Sequence, residues 1–164
     1  MYRRPEKKII SRDEASRIGR ELRSSGKKLV FTNGCFDLLH PGHVDLLIRA
    51  RMLGDVLMVG LNTDDSVRRL KGEKRPVLDE ETRSKMLAAI EVVDYVVLFD
   101  EDTPIELIKS VMPSVLVKGG DYTSDRVVGR EFVLERGGKV EILPLVEGYS
   151  TSSLLEKLLE LTGE

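Results

Sequence analysis

Short apolar runs alternate along the chain with longer stretches in which apolar residues recur every three or four positions. The runs are short enough for buried strands and lie at residues 28–31, 55–61, 94–99, 114–118 and 139–143. The stretches with helical spacing lie at residues 44–53, 79–90, 104–111, 125–136 and 151–161, with a short one at 66–70. Such regular alternation, with short links, predicts an α/β fold in which a five-stranded parallel sheet has helices on both faces.

One more helix is predicted before the first strand. Ser11 and Glu14 form a capping-box pattern, in which a hydroxyl is followed by a carboxylate, and Gly26 suits the end of a helix that runs to about Ser24. We therefore expect residues 1–26 to form an N-terminal helical extension and residues 27–164 to form one domain. No internal repeat, low-complexity segment or shift in composition marks a second domain.

Composition and charge exclude several classes of protein. The chain has 164 residues, enough for one domain with a sizeable core, and a formal net charge of -2. Binding to nucleic acid or to an anionic membrane needs a basic excess, so neither partner is expected. No apolar run approaches the roughly 18 residues of a membrane span, and the N-terminus lacks the apolar segment of a secretory signal. The single cysteine, Cys35, excludes an internal disulfide and favours a cytoplasmic location, and we interpret it as a small packing residue.

The candidate chemistry centres on Thr32–His43, the predicted turn between the first strand and the next helix. This stretch contains both histidines of the chain, His40 and His43, and Pro41 suits the first turn of a helix. Imidazoles at this spacing share one helical face, and the free N–H groups and positive dipole at a helix N-terminus attract phosphate. Neither G-x-G-x-x-G nor G-x-x-x-x-G-K-[ST] occurs, which argues against a dehydrogenase or a P-loop protein.

Further candidate phosphate ligands follow other predicted strands. A basic loop contains Lys71, Lys74 and Arg75, and the sequence Ser-Thr-Ser at 150–152 begins the last helix. In open α/β sheets, ligands bind outside the carboxyl ends of the strands, so these groups and the turn at Gly119 can face one cleft. Positioned donors and cations suit a phosphoryl-type displacement, which needs charge stabilisation more than a covalent nucleophile.

Four segments of the chain carry a resemblance to a known family: residues 32–43, 69–77, 116–122 and 150–152. The first resembles the His-x-Gly-His signature of the nucleotidyltransferase superfamily, in its cytidylyltransferase-like branch. Together the four resemble the heptose 1-phosphate adenylyltransferases, with similarity from about Ser11 to the C-terminus. The resemblance implies a Rossmann-like three-layer α/β/α fold of the HIGH type, with residues 27–164 as the nucleotidyltransferase domain. It also implies that ATP and D-glycero-β-D-manno-heptose 1-phosphate give ADP-heptose and pyrophosphate, by attack of the sugar phosphate on the α-phosphorus.

The resemblance implies roles for individual residues. His40 and His43 would stabilise the five-coordinate transition state, and Lys71 would neutralise charge on the triphosphate, so these three are the catalytic candidates. Asp37 would orient a neighbouring group or lie in a magnesium shell. The remaining candidates would bind the nucleotide: Thr32, Asn33, Gly34, Phe36, Lys74, Arg75, Gly119, Asp121, Ser150, Thr151 and Ser152.

Cofactor and partners follow from the same resemblance. Mg²⁺ is expected with ATP because it offsets triphosphate charge, and no protein side chain is assigned as its ligand. Many relatives carry a sugar-kinase domain before this one, so we expect a separate heptose kinase to supply the sugar 1-phosphate. A homo-oligomer, specifically a dimer, is also expected. Two residues depart from the family pattern: Ser152 replaces a more usual Thr, and Tyr149 stands where a small or apolar residue is common.

Other interpretations stay open at this stage. Glycerol 3-phosphate cytidylyltransferase and FMN adenylyltransferase belong to the same branch and share its first motif. A non-catalytic nucleotide-binding sensor and a scaffold protein are hypotheses from other classes. The two histidines could also ligate a metal or only cap the helix, although no third nitrogen or thiolate cluster supports a zinc site.

Overall fold

A computed structural model describes residues 1–120 and 123–163 of the chain. In that part of the chain, five strands alternate with seven α-helices. The strands are β1 (Leu29–Gly34), β2 (Val56–Asn62), β3 (Tyr95–Phe99), β4 (Val115–Gly119) and β5 (Lys139–Leu143). The helices are α1 (Arg12–Ser24), α2 (Pro41–Arg51), α3 (Asp64–Lys71), α4 (Glu80–Ala89), α5 (Ile105–Val111), α6 (Arg130–Glu135) and α7 (Thr151–Thr162).

The strands form one parallel sheet in the order β3-β2-β1-β4-β5. The predicted five-stranded parallel sheet and the Rossmann-like class are therefore confirmed. The chain order reverses direction beside β1, and this switch point is where open α/β sheets bind ligands. β1 extends to Gly34, whereas the sequence predicted a turn from Thr32 onward. The reason is that Thr32, Asn33 and Gly34 continue the register with Val59, Gly60 and Leu61 of β2.

Two buried apolar clusters cover the two faces of the sheet. On one face α2 and α4 contribute Leu47, Ala50 and Leu87, which pack on Val30 and Val59 among others. On the other face α1, α5 and α6 supply the second cluster, whose members include Ala15, Ile18, Leu107, Ile108, Val111 and Val133. Three layers result, and α1 lies within the same packed core as the strands.

The N-terminal segment is fixed to the edge of the sheet. The capping box predicted at Ser11 is present, because the Ser11 hydroxyl accepts from the Glu14 N–H and the Glu14 carboxylate accepts from the Ser11 N–H. Before it, Ile9 forms a parallel bridge with Val96 of β3, which the sequence pattern did not predict. This short pairing covers part of the free edge of β3, a position where an open strand would otherwise expose its N–H and C=O groups.

Two predicted helical features differ from the structure. Residues 125–136 do not form one helix, but a 3-10 turn at Ser124–Arg126 followed by α6. The break occurs at Gly129, whose φ of +87° is left-handed and whose position leaves no room for a Cβ beside Ile108. The helix predicted from residue 104 begins one residue later, at Ile105, because Pro104 is its N-cap; no side-chain capping bond forms there. Among the described residues, no helix combines the length and apolar character that crossing a membrane requires.

Candidate active site

The two histidines form a compact pair at the N-terminus of α2. His40 is the N-cap residue, and its Nδ1 accepts a hydrogen bond from the backbone N–H of Gly42 at 3.1 Å. The Nδ1 of His43 accepts in turn from the backbone N–H of His40 at 3.4 Å. The rings stack with centroids 3.8 Å apart and planes inclined by 24°. A Cβ at Gly42 would lie 2.9 Å from the His40 ring, so the glycine between the histidines is what admits this ring.

This arrangement determines which ring nitrogen carries the proton. Each Nδ1 accepts a backbone hydrogen bond, so the neutral imidazoles hold their proton on Nε2, which can donate to a ligand. Burial lowers the pKa of His40, and burial together with the neighbouring His40 lowers the pKa of His43 to about 4. Both rings are therefore neutral donors at neutral pH.

A cleft of about 620 Å³ lies outside the carboxyl ends of the strands and adjoins this pair. Most of the residues predicted for the site line it together: Asn33, Gly34, Phe36, Asp37, His40, His43, Lys71, Arg75, Ser150, Thr151 and Ser152. Thr32 does not, because it is buried within β1 with 1% of its surface exposed. Lys74 and Gly119 also lie outside the lining. Asp121 lies outside the described residues.

Asp37 connects three separate segments around the cleft. Its side chain is 1% exposed and pairs with Arg75, whose Nε–H donates to the carboxylate at 3.0 Å. The backbone N–H groups of Val77 and Leu78 donate to the same carboxylate at 2.7 and 3.0 Å. The Asp37 carbonyl accepts from the Thr151 hydroxyl at 2.9 Å. Asp37 thus holds the basic loop and the start of α7 against the histidine turn, and its oxygens are occupied by these donors.

The first motif contains left-handed backbone that this network supports. Phe36 and Leu38 have φ values of 45° and 53°, which side-chain-bearing residues rarely adopt. Asp37 lies between them and carries the hydrogen bonds to the basic loop. The carbonyl of Cys35, immediately before Phe36, accepts from Arg83 at 2.7 Å. Hydrogen bonds from neighbouring segments therefore fix Cys35 and Asp37, the residues on either side of Phe36.

Arg83 is the contributor that sequence reasoning missed. Its side chain is fully buried, and it donates to the carbonyls of Cys35 and Asn62 at 2.7 and 2.8 Å and of Leu78 at 2.9 Å. It also pairs with the Asp64 carboxylate at 2.7 Å. One guanidinium therefore joins the ends of β1 and β2 to the basic loop. Its helical spacing could have indicated burial, because Arg83 lies four residues before Leu87, on the same buried face of α4.

The start of α7 and the remaining lining residues complete the site. The Ser150 hydroxyl caps α7 by accepting from the Ser153 N–H at 3.0 Å, and the Ser152 side chain is exposed. The Tyr149 ring lies 6.3 Å from the His40 ring and nearly parallel to it. Burial raises the pKa of the Cys35 thiol, which argues against a thiolate nucleophile at neutral pH. Within the described residues, no group of three or more His, Cys, Asp or Glu side chains could hold a metal ion.

This geometry agrees with comparisons to known proteins. The sequence profile of the cytidylyltransferase-like family matches residues 31–154, which include every lining segment of the cleft. The chain belongs to the cytidylyltransferase-like family. The resemblance stated from the first motif is thereby confirmed.

Comparison with individual proteins shows which members of the family the chain is most similar to among those compared. The chain is 62% identical over 145 residues to the bifunctional protein HldE of Citrifermentans bemidjiense, covering 88% of this chain and 30% of the relative. It is 58% identical over 142 residues to HldE of Geobacter sulfurreducens, covering 87% and 29% of the two chains. The chain thus spans about 30% of the length of these relatives. A solved structure, the lipopolysaccharide core biosynthesis protein from Thermoplasma volcanium, superposes with a TM-score of 0.59 at 29% identity, over 76% of this chain and all of that one.

Proposed function

We propose that this chain transfers an adenylyl group from ATP to D-glycero-β-D-manno-heptose 1-phosphate, giving ADP-heptose and pyrophosphate. The observation that carries the proposal is the pair of imidazoles at the N-terminus of α2, which line the cleft and whose Nδ1 atoms accept backbone hydrogen bonds, leaving the proton on Nε2. Identity of 54–62% to HldE proteins over most of the chain supports the heptose branch rather than another cytidylyltransferase-like enzyme.

The reaction is a direct displacement at the α-phosphorus. An oxygen of the sugar phosphate forms the new P–O bond while the bond to the β-phosphate oxygen breaks, and pyrophosphate leaves with the electron pair. Negative charge grows on the phosphate oxygens in the transition state, so fixed donors that face them lower the barrier. His40 and His43 would supply such donors without changing protonation state. The positive ends of the α2 and α7 dipoles would add to this stabilisation.

Magnesium enters the proposal with the triphosphate. Bound Mg²⁺ neutralises charge on the phosphates, and it is commonly held by phosphates and water with one or two carboxylates. The donor set here fits that role only loosely, because Asp37 already accepts from Arg75 and two backbone N–H groups. We therefore propose that the substrate and water supply most of its ligands. A cytoplasmic location, a homodimer and a separate heptose kinase remain predictions.

The test is incubation of the purified chain with ATP or CTP, Mg²⁺ and a series of sugar and polyol phosphates. We expect pyrophosphate release and a product with the mass of ADP-heptose only when ATP and the heptose 1-phosphate are both present. A CDP-glycerol or FAD product, formed with glycerol 3-phosphate or FMN as acceptor, would replace the proposal with one of the related enzymes. ATP binding without any product would favour a nucleotide sensor.

Lys71 should contribute through the triphosphate. It ends α3 and lines the cleft, whereas Lys74, three residues further on, lies outside the lining; both side chains are exposed. A charge-assisted hydrogen bond contributes roughly 1.5–3 kcal/mol, so Lys71→Ala should lower kcat/KM for ATP on the order of 10- to 100-fold. Steady-state kinetics and ATP and AMP titrations measure the effect.

The matched control is Lys74→Ala, for which we expect a change of less than about threefold, the scale of a screened surface charge. AMP affinity should be nearly unchanged in Lys71→Ala, because AMP lacks the β- and γ-phosphates. If AMP binding weakened as much as ATP binding, Lys71 would not act on the triphosphate.

A further inference from the structure

The cleft is longer than the part to which nucleotide-binding residues have been assigned. Those residues lie near β1, in the basic loop and at the start of α7, with the histidines directly after β1. The cleft continues past β2 to the end of β3, where Phe99, Asp102 and Thr103 line it. β3 lies two strands from β1, about 10 Å away at the usual strand spacing. A second substrate at this end would lie beside the phosphates.

The β3 end of the cleft differs from the rest in the sign of its exposed charge. Among the described lining residues only two are carboxylates, Asp37 and Asp102. Asp37 is buried and its oxygens are occupied, whereas 67% of the Asp102 side chain is exposed. The other charged lining residues are the cations Lys71, Arg75 and Lys118. An exposed carboxylate disfavours a phosphate beside it but accepts hydrogen bonds from hydroxyl groups, so Asp102 indicates a polyhydroxyl group at this end.

Asp102 is also held in a defined orientation. The Nε–H of Arg69 donates to one of its carboxylate oxygens at 3.0 Å, and the Arg69 guanidinium also pairs with the neighbouring Asp100 at 3.7 Å. Arg69 belongs to α3, the helix that ends at Lys71. The second carboxylate oxygen of Asp102 has no partner in these ion pairs. An oriented acceptor of this kind can discriminate between hydroxyl positions, because its geometry is set before the substrate binds.

We propose that Asp102 accepts hydrogen bonds from hydroxyl groups of the acceptor sugar and is a specificity-determining residue for that substrate. The proposal rests on the proposed function, since it assumes a sugar phosphate as acceptor. Arg69 acts as the positioning residue, and the acceptor phosphate then lies toward the histidines. The sugar therefore spans the distance from the β3 end to the reaction centre.

The test compares Asp102→Ala with Asp100→Ala, which removes a carboxylate that pairs with the same Arg69 but does not line the cleft. We expect Asp102→Ala to raise the KM for the sugar 1-phosphate on the order of 10- to 100-fold, the scale for losing a hydrogen bond to a charged group. The KM for ATP should stay within about twofold, and Asp100→Ala should resemble the unchanged protein.

Deoxy analogues of the acceptor distinguish recognition from a structural effect. On an analogue that lacks the recognised hydroxyl, the unchanged protein and Asp102→Ala should react with equal kcat/KM. An equal loss on every acceptor, or no loss on any, would overturn the assignment of Asp102 while leaving the proposed function intact. If the unchanged protein converts no sugar phosphate at all, the proposed function fails, and this inference fails with it.

Discussion

His43→Ala is expected to lower kcat on the order of 10²- to 10³-fold while the protein remains folded. This is the scale observed when one preorganised donor to a developing negative charge is removed. The His43 ring stacks on His40 and directs a neutral Nε2–H away from its own backbone contact, so the variant loses a donor without losing a charge. Single-turnover measurement of pyrophosphate release gives the chemical step directly.

Val44→Ala is the matched control for this variant. Val44 is the next residue of α2, is 37% exposed and does not line the cleft, so its replacement should leave kcat within about twofold. Circular dichroism and the melting temperature report whether both variants fold. Turnover near that of the unchanged protein in a folded His43→Ala variant would show that His43 does not stabilise the transition state.

The low pKa of His43 allows a second test, which compares how the stability of the unchanged protein and that of His43→Ala depend on pH. Folding lowers this pKa from 6.5 to about 4, so the folded state favours the neutral ring. Between pH 6.5 and pH 4 the His43 ring binds a proton in the unfolded chain but not in the folded protein. The stability that depends on the neutral His43 ring is therefore complete above about pH 6.5 and is lost as the pH falls toward 4. The unchanged protein should therefore lose more stability than His43→Ala between pH 7 and pH 4.5. Equal losses would contradict the buried neutral ring.

The fold could be predicted from the sequence because the central strands of its parallel sheet are covered by helices on both faces. Strands covered on both faces are nearly continuous apolar runs, as in Val56–Asn62, and such runs are visible without knowledge of their neighbours. The ends of the helices were harder to predict from the sequence. The helical spacing of residues 125–136 carries no information about the left-handed φ of Gly129, which divides that segment.

The site was predictable only where it is contiguous in the sequence. His40, Gly42 and His43 determine one another's positions within a single helical turn, so their arrangement follows from spacing. Asp37 and Arg75 contact each other across 38 positions, and Arg83 reaches Cys35 across 48. Nothing in the local pattern of either segment identifies the other. The sequence therefore showed which groups could touch phosphate, but not the ion pairs that hold them.

The structure assigns Arg83 the largest expected effect on stability. Arg83→Met would leave the carbonyls of Cys35, Asn62 and Leu78 without this donor, and the Asp64 carboxylate without its cation. Removing one partner of a buried ion pair costs about 3–5 kcal/mol, because the remaining charge stays poorly solvated. For a domain of this size that corresponds to a melting temperature lower by about 6–20 °C. Differential scanning calorimetry measures the shift.

Two further variants test whether burial of the charge causes this loss. Arg68→Met breaks an ion pair with Asp65 in which both side chains are exposed, by 40% and 70%, so the melting temperature should stay within about 2 °C of that of the unchanged protein. In Arg83→Met/Asp64→Asn the unpaired carboxylate is removed as well, so part of the lost stability should return, whereas the deficit from the three carbonyls should remain. If Arg83→Met melted within 2 °C of the unchanged protein, the guanidinium would not be the group that joins β1, β2 and the basic loop. If the double variant recovered fully, the loss would belong to Asp64 alone and the carbonyl contacts would contribute little.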